Sequence, residues 1–397
     1  MDGIGEEVMM KGAVSKILIV LGIVLILAAI LWWAIAVNAL VKLPDDVDIE
    51  NKYEGEMTWY VDPLTHQPLA EGEEQKMPLV VTQKITSLTE EFDSSVGPLR
   101  ESIELNVGGM AQPAQEFVYV LDRRTMENVK DDRAYAWTPE NVVNREGTYY
   151  PLFPFDTSKD ETYSVWKNEI GEGVETEFVS EEDKEGVTVY NFKLAFQDKE
   201  VVEAYVKGMG LPTTTTFEEI KPSLKAAGVD VDAFLALAVQ AMQPQDLQEL
   251  QKALQNPISL KYYWTMEQEL SVEPKTGVPV DVYKDVETLT MKVDAEALAG
   301  LQPILGKYVS DPRLGPAITQ LAALQEKLGE ARKIFSYEFA STQDTVKAGI
   351  EDAKDGAGKI NLVKVYIPWA LLIVGALILI VGLLMGGGPA PEQAAEE

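Results

Sequence analysis

Two uncharged runs bracket the chain. Ile17 to Val37, ILIVLGIVLILAAILWWAIAV, is 21 residues long, and Val365 to Gly386, VYIPWALLIVGALILIVGLLMG, is 22. Crossing a hydrocarbon layer roughly 30 Å thick takes about 20 helical residues. A helix satisfies its own backbone there, which an open strand or loop does not. Each central Leu, Ile, Val or Phe favours insertion by roughly 0.3–0.6 kcal/mol, so both runs are expected to insert. Trp32, Trp33, Tyr366 and Trp369 stand toward the inner ends of the runs, where interfacial aromatic residues gather. A cleaved secretion signal fits the first run less well. Its apolar core exceeds the ~7–15 residues of such signals, although Ala34-Ile35-Ala36 has the spacing of a cleavage site.

The runs divide the chain into a short N-terminal tail (1–16), a transmembrane helix (17–40), a central domain (41–364), a second transmembrane helix (365–386) and an acidic C-terminal tail (387–397). Two spans place both tails on one side. Lys11 and Lys16 precede the first run, as cytoplasmic flanks do. Lys359 and Lys364 lie on the domain side of the second, and long domains translocate largely regardless of such charges. The expected arrangement is a cell-membrane protein with its domain outside and both termini cytoplasmic.

The central domain is strongly acidic. The formal charge is −30, and the two tails together hold only six acids and two lysines. Such a surface repels phosphate backbones and anionic headgroups, so nucleic acid is not expected as a partner. The chain has no cysteine, which excludes disulfides, thiolate metal sites and thiol catalysis. It also has no Asn-x-Ser/Thr acceptor for N-glycosylation.

Most of the domain reads as strand. In NKYEGEMTWYVD, Tyr53, Met57, Trp59 and Val61 share one face at period two. MPLVVTQKITSL, SIELNVGG, EFVYVLDRRT and KIFSYEFAS read similarly. VSEEDKEGVTVYNFKLAF is a hairpin turning through Gly186. The clearest hairpin is YYWTMEQELSVEPKTGVPVDVYKDVETLTMKV, which turns at Pro274, Lys275, Thr276 and Gly277. Two stretches, 217–256 and 294–333, have helical periodicity instead, and a third helix is predicted over about 342–355. Thr216 and Glu219 have capping-box spacing, Asp232 is expected to cap the next helix, and Pro244 opens the one after. Short amphipathic helices need a surface to pack on, so the two stretches are expected to form one bundle. The fold class that follows is β-rich α+β: a large antiparallel, barrel-like β core with a helical-bundle insertion, flanked by the two membrane helices. A transmembrane β-barrel is excluded, because strands such as MEQELSVEP cannot face lipid.

One stretch fits no catalytic or metal pattern: YYPLFPFDTSKDETYSVW, Tyr149 to Trp166, with four aromatics and two prolines in its first eight residues. Pro154 biases Phe153 toward an extended conformation. Asp156 and Thr157 are suited to start a turn. The simplest use is a core wedge followed by that turn. The alternative is a ligand-stacking wall, in which Phe153, Phe155, Tyr163 and Trp166 line an apolar cavity. Together with EGVTVYNF and SVEPKTGVPVDV, the stretch resembles the actinobacterial porin PorA-like family of double-anchored envelope proteins. The resemblance covers Tyr149 to Val282 by motif and the whole chain by its two anchors. It implies a long exported domain between spans, with Asp156 and Thr157 as the family's turn, and the family name implies a pore. The long helical stretches depart from compact members. The layout is also similar to class B scavenger receptors, which have two anchors, an antiparallel β core, a distal helical bundle and a lipid tunnel, but carry disulfides and glycans that this chain lacks.

No catalytic or metal residues are assigned. His66, the single histidine, lies in the turn-rich DPLTHQPL. Asp230 and Asp232 lack the Gly and Glu of a calcium loop. Acid pairs such as Asp131–Asp132 and Glu181–Glu182 are common in so acidic a chain, and NVGGMAQP lacks a phosphate-loop lysine. No enzyme activity and no cofactor are expected. The expected partners are the lipid bilayer and an apolar ligand such as lipid, bound or passed by the β domain. A structural or adhesive surface protein is the first alternative and an envelope pore the second. Neither run offers the polar stripe that a water-filled pore needs.

Overall fold

The computed structural model describes residues 2–61, 73–226, 228, 230–294, 300–320 and 330–386. Fifteen strands form among the described residues: β1 (Asp48–Trp59), β2 (Gln75–Ser87), β3 (Val96–Val107), β4 (Met110–Ala111), β5 (Gln115–Asp122), β6 (Tyr135–Ala136), β7 (Thr138–Val142), β8 (Ser164–Lys167), β9 (Glu172–Glu175), β10 (Glu177–Lys184), β11 (Val187–Glu200), β12 (Thr214–Thr215), β13 (Ile258–Glu273), β14 (Val278–Val293) and β15 (Arg332–Ser341). One antiparallel sheet runs in the order β10-β11-β13-β14-β15-β1-β2-β3-β5-β6-β7, with β4 beside β3 and β12 beside β13. β8 and β9 make a separate hairpin.

The sheet is open, which corrects the barrel-like core. Its outermost strands, β10 and β7, share no ladder. β10 carries Glu177, Glu181, Glu182 and Asp183, and β7 carries Pro139, features that blunt an edge against further pairing. The sheet nevertheless curls. Leu194 of β11, Phe335 of β15 and Phe117 of β5 all face one interior space.

The helical layer covers one end of the sheet. Helices Phe217–Ala226, Val231–Ala241 and Pro244–Leu254 share a core with the helical turn Gln302–Leu305 and with Leu314 and Ile318. Ile258 and Val293, at the start of β13 and the end of β14, join the same core. Thr216 and Glu219 close a capping box, with Thr216 N–H donating to Glu219 Oε2 at 2.9 Å. The cap of Val231–Ala241 is Asp230 rather than Asp232: Asp230 Oδ1 accepts from Ala233 N–H at 3.0 Å, while Asp232 pairs with Lys221. The segments 295–299 and 321–329, which fall in the stretch read as helical from sequence, lie outside the described residues, as does His66.

The turn at 274–277 stands at the opposite end of β13, up to about 50 Å away for 16 residues at roughly 3.3 Å each. Lys275 Nζ donates there to Asn361 Oδ1 at 2.8 Å, next to the second apolar helix. That helix is continuous with the domain. It starts at the Thr342 cap, runs over Gln343–Asn361, passes a π-helical turn at Leu362–Tyr366 and continues as Ile367–Gly386. The N-terminal helix Asp2–Leu31 has its own π-helical turn at Trp32–Ala36, and the two turns adjoin: Trp32 Nε1 donates to Val363 O at 2.9 Å and Trp33 Nε1 to Lys364 O at 3.0 Å.

The two helices are long and apolar enough to cross a membrane, and they pair along a seam of small residues. Ser15, Gly22 and Ala29 are buried on one helix, and Pro368, Gly375 and Gly382 on the other. A methyl group on Gly22 would come within 2.7 Å of Leu379 N and 2.8 Å of Gly375 O. Glycine is what allows the backbones so close. The seven-residue interval on both helices falls short of two full turns, the spacing that suits a left-handed pair. Leucine, isoleucine and valine cover the outward faces.

Candidate ligand cavity

The aromatic–proline stretch lies across the concave face of the sheet. Phe153 N–H donates to Gly277 O at 2.8 Å and Thr157 N–H to Pro274 O at 2.7 Å, so the stretch runs along the β13–β14 turn. Gly277 is required there: its φ is +72°, and a Cβ would lie 2.0 Å from the Phe153 carbonyl oxygen. Phe153 stacks on Phe192 at 5.5 Å and meets Tyr163 edge-on at 5.6 Å. Phe153 and Trp166 reach the interior space. Tyr163 packs behind Phe153, its hydroxyl accepting from Ser158 N–H at 2.6 Å, and Phe155 is half-buried in a second cluster near Leu43 and Ile85. Asp156, at φ +54°, faces outward and pairs with Lys364 at the foot of the second span. Thr157 is buried, and its hydroxyl donates to Pro154 O at 2.7 Å. The turn thus ties the wedge to the membrane helix.

The space behind the wedge is a cavity of about 480 Å³. Small-molecule sites measure roughly 300–1,000 Å³. Leu79, Val81, Ile85, Leu105 and Leu194 make an apolar wall. Thr345, Ala348, Gly349 and Asp352 make a second wall of mixed polarity; they are spaced i, i+3, i+4, i+7 and present one face of the helix that becomes the second span. Exposed Asp48, Glu50, Ala348 and Asp352 rim the mouth.

Deeper in, the lining turns polar, contrary to the all-apolar expectation. Alternation along β14 sends Asp285, Glu287 and Leu289 inward. Glu287 Oε2 accepts from Trp264 Nε1–H and, at 2.9 Å, from the Tyr337 hydroxyl. Asp285 Oδ2 accepts from Gln268 Nε2, but Asp285 Oδ1 is buried with no partner among the described residues. Burial, reinforced by Asp285 next to it, pushes Glu287 up to about 8. Burial also raises Asp285 to about 6, against the pull of Lys167. Glu169 rises to about 7 through burial and then the charge of Glu287. It keeps some accessible surface because it faces the cavity.

Glu101, fully buried on β3, is a different case. It accepts from Gln83 Nε2 at 2.5 Å, from the Tyr150 hydroxyl at 2.6 Å and from the Tyr119 hydroxyl at 3.0 Å. Those bonds lower its pKa, but burial outweighs them and the net shift is upward. With its oxygens satisfied, Glu101 holds the wedge in place through Tyr150. Lys167 is the one cation among the described lining residues, and its Nζ donates to Gln268 Oε1 at 3.2 Å. Among the described residues no acid or histidine group is arranged to hold a metal. The acids of β14 escaped the sequence reading, although DVETL carried a signal: two acids at i and i+2 share the face of the core residue Leu289.

The sequence model of one protein family, Porin PorA, matches residues 14–384. The chain belongs to the Porin PorA family. The Porin PorA of Corynebacterium resistens is 23% identical over 289 residues, which cover 67% of this chain and 64% of that protein, under two-thirds of the relative's length. The family match takes in both apolar helices as well as the sheet. With those helices, it makes this PorA-family chain a membrane protein with two spans.

Proposed function

We propose that this PorA-family chain is a cell-envelope protein whose domain stands outside the cell membrane and takes an amphiphilic molecule into the cavity of its sheet. The observation that carries this reading is the cavity wall itself. Its apolar side is continuous with a polar interior, and one face belongs to the helix that enters the membrane. An acyl or other apolar chain gains about 0.8 kcal/mol per buried CH₂, and the carboxylates and tyrosines suit a polar head. The test is native mass spectrometry of the full chain after mild extraction, compared with Ala348→Trp. Ala348 is exposed at the mouth, so the added ring blocks entry without entering the core. The parent chain should carry a bound small molecule and the variant should lose it. An empty parent chain would overturn the reading and leave a structural surface role.

The name of the relative supports a second reading, a pore. The geometry of the spans favours it less: they bury small residues against each other and turn apolar side chains outward, and a water column needs a polar lining. Purified full-length chain in a planar bilayer is expected to give no channel steps. Reproducible conductance would establish the pore instead.

A further inference from the structure

We infer that Asp285 and Glu287 form the seat of an organic cation: an ammonium group on an apolar body enters the cavity and replaces the proton that the two carboxyls share. The inference rests on the cavity being a ligand site. It stands on geometry first. Asp285 is 1% exposed, lines the cavity and has one oxygen without a donor. Glu287, two residues on along the same face of β14, is the neighbouring carboxyl and lines the same cavity. Two carboxyls side by side on one buried face resist ionising together, so one member of the pair keeps its acid form. A primary ammonium brings three N–H donors.

The groups around the pair fit a cation and oppose an anion. From β13 come Gln268 and Trp264, from β15 Tyr337, from helix Glu203–Gly208 Tyr205, and from β8 and the residue pair beyond it Lys167 and Glu169. The charges of Glu101, Asp281 and Asp285 are also felt at Tyr53 across the cavity. Asp285, Glu287 and Glu169 thus face one amine, that of Lys167, and it is engaged by Gln268. Phe335 and Tyr337 line the same space and offer ring faces to a cation. The acidic mouth raises the local concentration of cations and lowers that of anions.

Charge balances in the exchange. Near neutrality the pair holds one proton, as its raised titration indicates. Entry of R–NH₃⁺ displaces one H⁺ to solvent, so the buried site gains no net charge. Binding should therefore strengthen with pH, by up to tenfold per unit, until the pair is ionised near pH 8.

The experiment is calorimetric titration of the full chain in nanodiscs of zwitterionic lipid with n-hexylammonium, n-hexanol and n-hexanoate. It is run at pH about 6 and about 8, in two buffers of different ionisation enthalpy. Hexylammonium should bind at least tenfold tighter at the higher pH and release close to one proton. Hexanol should bind weakly and equally at both, and hexanoate not at all. Asp285→Asn should lose the pH dependence and at least tenfold in hexylammonium affinity, while hexanol binding stays. Thermal melting confirms that the variant folds, and Glu287→Gln serves as the second variant. Hexylammonium binding no tighter than hexanol, no proton release, or an unaffected Asp285→Asn would each overturn the inference. If hexanol alone binds, the cation seat falls and the ligand cavity stands; if no probe binds, both fall.

Discussion

Gly277→Ala should be far more damaging than other glycine-to-alanine changes in turns of this sheet. At φ +72° an L-residue bears about 1–2 kcal/mol of backbone strain. The new methyl would also lie 2.0 Å from the Phe153 carbonyl oxygen and 2.6 Å from the Pro154 oxygen, where ordinary contact starts at 3.4 Å. Backbone must move to relieve that. The Phe153–Gly277 hydrogen bond, worth about 0.5–1.5 kcal/mol net, is the first loss. The stacking of Phe153 on Phe192 and its edge-on contact with Tyr163, about 0.5–1.5 kcal/mol per pair, are the next. The sum is about 2.5–6.5 kcal/mol. Gly186→Ala is the control: its φ is +83°, but nothing lies within 4 Å of the added methyl, so only the strain applies. Thermal unfolding of the full chain in a mild detergent reads the difference, at roughly 2–4 °C per kcal/mol for domains of moderate size. Gly277→Ala should melt several degrees below Gly186→Ala. Equal losses would show that the wedge is not clamped to the turn.

Domain stability should fall as pH rises from about 5 to 8. Glu287, Glu169 and Asp285 keep protons in the fold that the unfolded chain has released, so each contributes below its unfolded pKa and is lost through its raised one. The slope is up to about 1.4 kcal/mol per pH unit for each retained proton. Urea midpoints across that range test this, and Glu287→Gln should flatten the upper half. Gly22→Leu should force the spans apart; spin labels on the outward-facing Val20 and Ile380 should show a broader, longer distance distribution than in the parent. Asp230→Ala should cost about 1 kcal/mol by removing the cap of Val231–Ala241, seen as faster amide exchange confined to the helical layer.

What was legible in the sequence was short-range. The spans announce themselves by length and hydropathy, the β13–β14 turn by Pro-Lys-Thr-Gly, and the strands by alternation. Sheet closure was not legible, because it depends on which strands meet at the edges, and that is settled by chain segments far apart. Phe153 and Phe155 illustrate the limit at the site. At i and i+2 in a pleated strand they would share a face, yet they enter different clusters, because the backbone between Pro154 and the positive-φ Asp156 pairs with a turn instead of a ladder. The carboxylates of β14 were hidden for the opposite reason. Acids in a strand are read as its wet face, and only the curl of the sheet makes that face an interior.

The seam between the spans repeats every seven residues on both helices, so it matches itself again after a slide of one heptad, about 10.5 Å at 1.5 Å per residue. Small residues alone therefore leave the pair with near-degenerate alignments, much as an unmarked ruler leaves its zero undefined. The indoles of Trp32 and Trp33 supply the mark. Each needs one particular carbonyl, Val363 or Lys364, and both carbonyls lie in the π-helical turn, which a shifted partner would no longer meet. Replacing both tryptophans with phenylalanine should leave the helices paired but free to misalign, and the first strand, begun only a few residues beyond the span, would carry that error into the sheet.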